Sequence, residues 1–131
     1  MTDCPTCSAG VVTVGVPTDL REYAPDDAAA VGLCPQCLTV TAVDSSSAED
    51  PPRFDRVAPP FPDGEAGVAL ALLIGKLPSL AVEKPAVRAL RERAEAAGGD
   101  VVLTLDRLVA ASDVEPHFAL ERKVVQMEQL V

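Results

Sequence analysis

Apolar and polar positions change rhythm twice along this chain. Up to residue 43 the apolar residues fall in short runs of strand length, Val11–Val16, Ala29–Leu33 and Leu38–Val43, and these predict three β-strands. Residues 44–60 then break the pattern. They hold three consecutive serines, several charges and four of the twelve prolines in the chain, which is the composition of a linker. Phe54 and Val57 are the large apolar residues in it able to dock onto the body.

From Phe61 onward the spacing is helical. Asp63 is placed to cap a helix running to about Lys76, with Glu65 in its first turn. The interior of that helix, residues 68–74, is apolar on every side, so it is expected to be buried all round. Gly64 and Gly67 would let neighbouring backbone approach, and Pro78 forbids simple continuation. A second helix is expected from a first-turn Pro85 to Gly98-Gly99, with Val87, Leu90, Ala94 and Ala97 on one face. Asp100 begins a third, striped by Val101, Leu105, Leu108 and Val109. The run 101–105 could form a strand, but strict alternation fails there and helix is preferred. A fourth is expected from Pro116 to about Leu130, with Leu120, Val124, Met127 and Val131 in register and Phe118 and Val125 alongside. Four helices with short connections imply a bundle. The predicted fold class is therefore α+β, with residues 1–43 a three-stranded ribbon, 44–60 a Ser/Pro-rich linker and 61–131 a four-helix bundle.

The chemistry concentrates in the first region. Cys4-Pro5-Thr6-Cys7 and Cys34-Pro35-Gln36-Cys37 are separated by 26 residues. Each Cys-Pro-x-Cys sets two thiolates on one tight turn, and two such knuckles facing one another complete a tetrahedron around a metal, zinc being the expected ion. Spacing alone does not separate zinc from iron. A rubredoxin-type iron site packs aromatic rings around the metal, and this chain has one Tyr, three Phe and no Trp. A thioredoxin-like redox pair would open a helix after a strand, and neither pair is placed so. A ribbon of about 40 residues buries too little surface to hold itself together, whereas structural zinc supplies on the order of 10–16 kcal/mol. Four thiolates also leave no coordination position for water or substrate, so Cys4, Cys7, Cys34 and Cys37 read as a structural site.

Composition adds a setting. The chain has 131 residues, 20 acidic side chains against 11 basic ones and a net charge of −9. Only three of the basic residues are lysine (Lys76, Lys84, Lys123). Few lysines, many Asp and small aliphatic residues resemble the proteins of salt-loving archaea, whose carboxylates keep the surface hydrated where the Debye length has shrunk to roughly 3 Å. No basic-then-apolar segment opens the chain, and the longest uncharged apolar run, residues 66–75, is shorter than the ~20 residues of a membrane span. A reduced cytoplasm is the expected location, which favours metal over disulfides.

Catalytic constellations are missing. His117 is the lone histidine, the cysteines are consumed by the metal, and Gly64-x-x-Gly67 lacks the Lys-Ser/Thr of a phosphate loop. Lys84, Arg88 and Arg91 share a helix face that reads as solvated, threaded with Glu92 and Glu95. Residues 17–25, which carry the only Tyr, are expected to form a short helical turn against the ribbon.

Cys-Pro-x-Cys at the start, Val-Pro-Thr-Asp-Leu-Arg-Glu-Tyr-Ala-Pro at 16–25, Phe-Pro-Asp-Gly-Glu-Ala-Gly-Val-Ala-Leu-Ala at 61–71 and Glu-Pro-His-Phe at 115–118 resemble an uncharacterised family of short haloarchaeal proteins. The resemblance spans essentially the whole chain and implies no activity. The first half also resembles the wider zinc-ribbon group. It departs from the usual knuckle in having Ser8 and Leu38 where glycine often follows the second cysteine, which keeps the ligands but leaves the turn geometry open.

The expected function is a non-enzymatic zinc-ribbon protein that works as a protein–protein interaction module, its partner another protein. A nucleic-acid-associated ribbon of the transcription or translation machinery is the alternative. Charge disfavours it: the first 43 residues hold five acids and one Arg, and high salt removes the counterion-release gain of phosphate contacts.

Overall fold

The computed structural model describes residues 3–49, 52–57 and 61–130. Parts of the expected linker (50–51, 58–60) and Val131 of the fourth helical stripe lie outside the described residues. The protein is α+β, with a three-stranded antiparallel sheet followed by four α-helices. Strands β1 (Val12–Gly15), β2 (Ala30–Leu33) and β3 (Val40–Ala42) each fall within one of the three short apolar runs. They lie in the order β1-β2-β3, with Val12 opposite Leu33, Val14 opposite Val31, and Val31 in turn opposite Ala42.

One face of the sheet belongs to the main core. Val12, Val14, Val31 and Leu33 are buried together with the helices in a single hydrophobic cluster. On the other face, Gly32 sits beneath Val11 and Val43, so closely that a Cβ there would lie 2.9 Å from a Val11 methyl. Thr13 is buried as well, its hydroxyl donating to Glu49 at 3.3 Å while the Glu49 N–H donates to the Thr13 carbonyl. The segment after β3 thus covers the β1 edge, a position from which an open strand would recruit foreign chains.

Between β1 and β2, residues 17–28 form two 3-10 turns, Thr18–Tyr23 and Pro25–Asp27. Leu20 and Ala24 anchor them in the core, as expected for a short helical turn packed on the ribbon. Phe54 and Val57 of the Pro-rich segment are also buried, and the Phe54 ring stacks on Phe61 with centroids 5.3 Å apart.

Helix α1 (Gly64–Lys76) has every residue from Ala66 to Ile74 buried. It is walled by β3, by Phe54 and by the helix that follows it. Asp63 occupies the N-cap position, but its side chain makes no capping bond. The two glycines differ in role. Gly64 has open space around its Cβ position and is needed for its φ of +61°. Gly67 is the close approach, since a Cβ there would fall 2.4 Å from the Pro62 carbonyl oxygen and 2.6 Å from the Phe54 ring. At the other end of α1, Gly75 admits Val40 of β3.

Pro78 sits in a 3-10 turn, Leu77–Ser79, that leads without a loop into α2 (Leu80–Ala96). This helix starts five residues before the expected first-turn Pro85. Glu83 leaves helical geometry (φ −104°, ψ 18°), which relieves the clash a mid-helix proline makes with the preceding turn, so the regular part of α2 does begin near Pro85. The turn folds α2 back along α1. Arg93, near the end of α2, pairs with Glu65 at the start of α1, and its Nη1 lies 2.7 Å from Asp19 of the ribbon. Those contacts hold the Asp19 carboxyl below its ordinary range, the hydrogen bond from Arg93 being the main cause. The stretch Gly64–Ala96 is long and apolar enough to cross a membrane by length and composition. It is a folded-back pair rather than one rod, and 61% of its most apolar window is buried.

Helix α3 (Val101–Ala110) is helix where a strand was the competing expectation, and the Asp100 side chain accepts from the Leu103 N–H at 3.0 Å. Val101, Leu105 and Leu108 are buried. Val109, expected in their stripe, is instead 36% exposed. Ala97 likewise falls outside the buried stripe of α2, because that helix ends before it. Helix α4 (Leu120–Leu130) starts four residues after Pro116, with Leu120, Val124 and Met127 inward. Helix α1 packs on α2, α3 on α4, and α2 touches both α3 and α4.

Gly67→Ala is expected to destabilise the protein by about 1–3 kcal/mol, since neither the Pro62 carbonyl nor the stacked Phe54 ring has room to yield. Gly64→Ala acts through backbone strain alone and should cost about 1 kcal/mol. Denaturant unfolding of the two variants checks the order, and equal losses would contradict the packing described for Gly67.

Candidate metal centre

The two Cys-Pro-x-Cys turns are built alike. In the first, the Cys4 N–H donates to Ala9 O at 2.7 Å and the Ser8 N–H to Cys4 O at 2.9 Å. In the second, the Cys34 N–H donates to Thr39 O and the Leu38 N–H to Cys34 O, both at 3.0 Å. The first turn runs into β1 and the second joins β2 to β3, so strand pairing carries the two against each other. Backbone N–H groups also point at sulfur, Thr6 to Cys4 Sγ and Cys37 to Cys34 Sγ, each at 3.4 Å.

This arrangement gathers the four sulfur atoms. Cys4 Sγ lies 3.5 Å from Cys37 Sγ, Cys7 Sγ 3.4 Å from Cys34 Sγ, and all four lie within 4.8 Å of one another. Four thiolates around a metal with bonds of about 2.3 Å have sulfurs about 3.8 Å apart, so the cluster is of the size that one tetrahedral ion fills. A disulfide would need sulfurs at about 2.05 Å. Cys4, Cys34 and Cys37 are buried and Cys7 is half-buried, with Val11 and Ala9 packed around them.

The thiols are not equivalent. Burial opposes ionisation of Cys4, but the backbone N–H groups of Cys7 and Thr6 and the neighbouring thiols stabilise its anion, and its pKa is held down to about 6. Burial dominates at Cys34 and, helped by the competing thiols of Cys7 and Cys37, pushes it up to about 12. A full set of four thiolates therefore needs a cation among them, and metal entry must expel protons.

Ser8 and Leu38, the residues that stand where glycine is usual, keep the left-handed conformation glycine would have, with φ of 66° and 62°. That geometry costs an L-residue roughly 1–2 kcal/mol. The two positions offset the cost differently. Leu38 is fully buried in the main core, and burying a leucine is worth about 1.5–3 kcal/mol, so the side chain outweighs the strain. Ser8 is exposed and gains nothing comparable.

The structure also adds contacts that spacing could not show. The connection between α3 and α4 is clamped to the second knuckle: the Glu115 N–H donates to Gln36 O at 2.7 Å and the His117 N–H to Cys37 O at 3.0 Å. The Thr39 hydroxyl lies 3.0 Å from Cys37 Sγ. Pro116 between the two donors, in the Glu-Pro-His-Phe segment, is the signal that could have suggested an extended strap rather than a helix start. The His117 side chain is exposed, edge-on to Phe118. On α2, Arg91 pairs with Glu95 at 3.2 Å, in keeping with a solvated face, while Arg93 faces the ribbon.

The chain belongs to a family of unknown function, DUF6276, whose model matches residues 3–131. No curated protein and no solved structure matches it.

Two outcomes follow from the knuckles. Ser8→Gly should stabilise the metal-loaded protein by about 0.5–1 kcal/mol through relief of strain, whereas Leu38→Gly should destabilise it by about 2–4 kcal/mol through the lost core contact. Thermal unfolding of the pair reads this, and the same sign at both positions would refute it. Removing metal with a chelator should raise hydrogen-exchange rates at the Glu115 and His117 amides, whose acceptors sit on the second knuckle. Exchange there that ignores the chelator would mean the strap is held independently of the metal.

Proposed function

We propose that this member of the family is a non-enzymatic zinc-binding protein, a structural Cys4 zinc ribbon joined to a helical bundle, that acts through protein–protein contact in a salt-rich cytoplasm. One observation carries the reading: the sulfurs of Cys4, Cys7, Cys34 and Cys37 gather within 4.8 Å of one another on two knuckles of matching geometry. Zinc suits four thiolates, having no redox chemistry and a ready tetrahedral shell. With the shell filled by the chain, the ion supplies folding energy and offers no place for a reacting group. Recognition then falls to the surface. The negative charge speaks against nucleic acid as the partner, and the burial of α1 speaks against a membrane.

Protein purified in high salt is expected to carry one zinc per chain by elemental analysis, and Cys34→Ser to lose both the metal and the cooperative unfolding transition. A stoichiometric iron content, or a metal-free protein with an intact fold, would overturn the zinc assignment. A pull-down from high-salt lysate should recover protein, and nucleic acid that survives washing would favour the transcription or translation reading instead.

A further inference from the structure

Helix α4 leaves one face uncovered. Glu121, Arg122, Val125, Glu128 and Gln129 are all exposed, and their spacing about Val125, three and four residues to either side, puts them on a single stripe. Val125, at the middle of the helix, is 48% exposed. It borders a groove of about 660 Å³ whose apolar walls are Val109, Pro116, Phe118 and Val125 itself. Val109, the residue that left the α3 stripe, therefore faces the same groove.

We infer that this stripe is the contact between two copies of the chain, with α4 pairing antiparallel to α4 of the second copy about a two-fold axis at Val125. The inference narrows the interaction-module reading to one partner and one face, without requiring the metal assignment. What selects a second copy is the symmetry of the charges. In an antiparallel pair centred on residue 125, position 122 faces position 128 of the other copy and position 121 faces 129. Arg122 then meets Glu128 twice, and Glu121 meets the Gln129 amide twice. Among the described residues, neither Arg122 nor Glu128 enters an ion pair within its own chain. A parallel pairing would set Arg122 on Arg122 and Glu128 on Glu128. The antiparallel arrangement also opposes the two helix dipoles favourably. Charge pairs choose the register, while Val125, Val109 and Phe118 supply the apolar burial. A contact made by one 11-residue helix and its groove is smaller than a standard interface, so the dimer is a weak and concentration-dependent one. Two chains of charge −9 repel at long range, which makes its formation favoured by salt that screens the bulk charge.

The test is sedimentation equilibrium of the full zinc-loaded chain in about 1 M KCl, where the Debye length is about 3 Å. Wild type should show a reversible monomer–dimer equilibrium, and Val125→Asp, at an exposed position, should abolish it with an unchanged circular dichroism spectrum. Arg122→Glu and Glu128→Arg should each weaken the dimer by about tenfold, since like charges then meet at both pairs. Mixing these two variants should restore it, because every pair in the mixed dimer is again Arg with Glu or Glu with Arg. Positions 122 and 128 are too far apart on one helix for the rescue to arise within a chain. A wild type that stays monomeric, a Val125→Asp that still dimerises, or a mixture that fails to recover would each overturn the inference. A monomeric wild type would leave the interaction-module reading to its own pull-down.

Discussion

Nine consecutive buried residues on α1, from Ala66 to Ile74, set the constraint that the remainder of the structure satisfies. A helix apolar on every side has no face to give to water, so it must be walled in completely. Helix α2, folded back along it, covers only one side. Strand β3, Phe54 and the turn at Leu77–Ser79 supply further walls, and strands and helices share one hydrophobic cluster. Each buried leucine on α1 contributes about 1.5–3 kcal/mol only while those walls stand. Glycines mark where the walls come closest, Gly67 against the Phe54 ring and Gly75 against Val40.

That dependence reaches the cysteines. The sheet has three short strands, too few residues to be stable alone, and its open end is closed by the two knuckles. Leu38 shows how tightly the systems are joined. Its backbone makes the knuckle turn while its side chain fills the core around α1. The strap at Glu115 and His117 makes the same connection from the other direction, tying the helical half to the carbonyls of the second knuckle. Loss of a metal held by these cysteines would therefore be felt well beyond residues 4–37, as a loosened wall rather than as a local defect.

Much of this was legible from residue pattern because the signals are local. Three strands lie within three short apolar runs, Asp100 starts α3, and two Cys-Pro-x-Cys turns converge as their spacing implies. Features decided by tertiary contact were not. Pro85 stops regular helix geometry in one direction only, so Leu80–Glu83 could join α2 once α1 was there to pack against. Val109 keeps helical register with Leu105 yet faces outward, because the stripe it extends is narrower than the periodicity suggests. At Ser8 and Leu38 the preference for glycine was a statement about backbone cost alone. The balance at Leu38 turns on burial, which no local rule contains. The strap residues were hidden for another reason: they hold the knuckle by main-chain N–H groups, and a backbone hydrogen bond leaves little trace in residue type.

A four-cysteine cluster on the two knuckles and an uncovered apolar stripe on α4 suggest a division of labour. A metal held by all four cysteines would leave no coordination position for a substrate, and its contribution would be to folding. Selection on this part of the molecule would act through folding. The surface works under the opposite condition. An exposed ion pair contributes little at a distance once salt screens it, so a recognition patch gains most from apolar area in contact and charges set close together. Most of the acidic surface meets neither requirement. Along the described residues, the α4 stripe with its neighbouring groove combines both, and it is joined to the metal centre through the short strap at residues 115–117. An ion bound by the four cysteines would therefore also steady the strap that leads into α4, which is how a metal with no open position could still bear on the surface beside it.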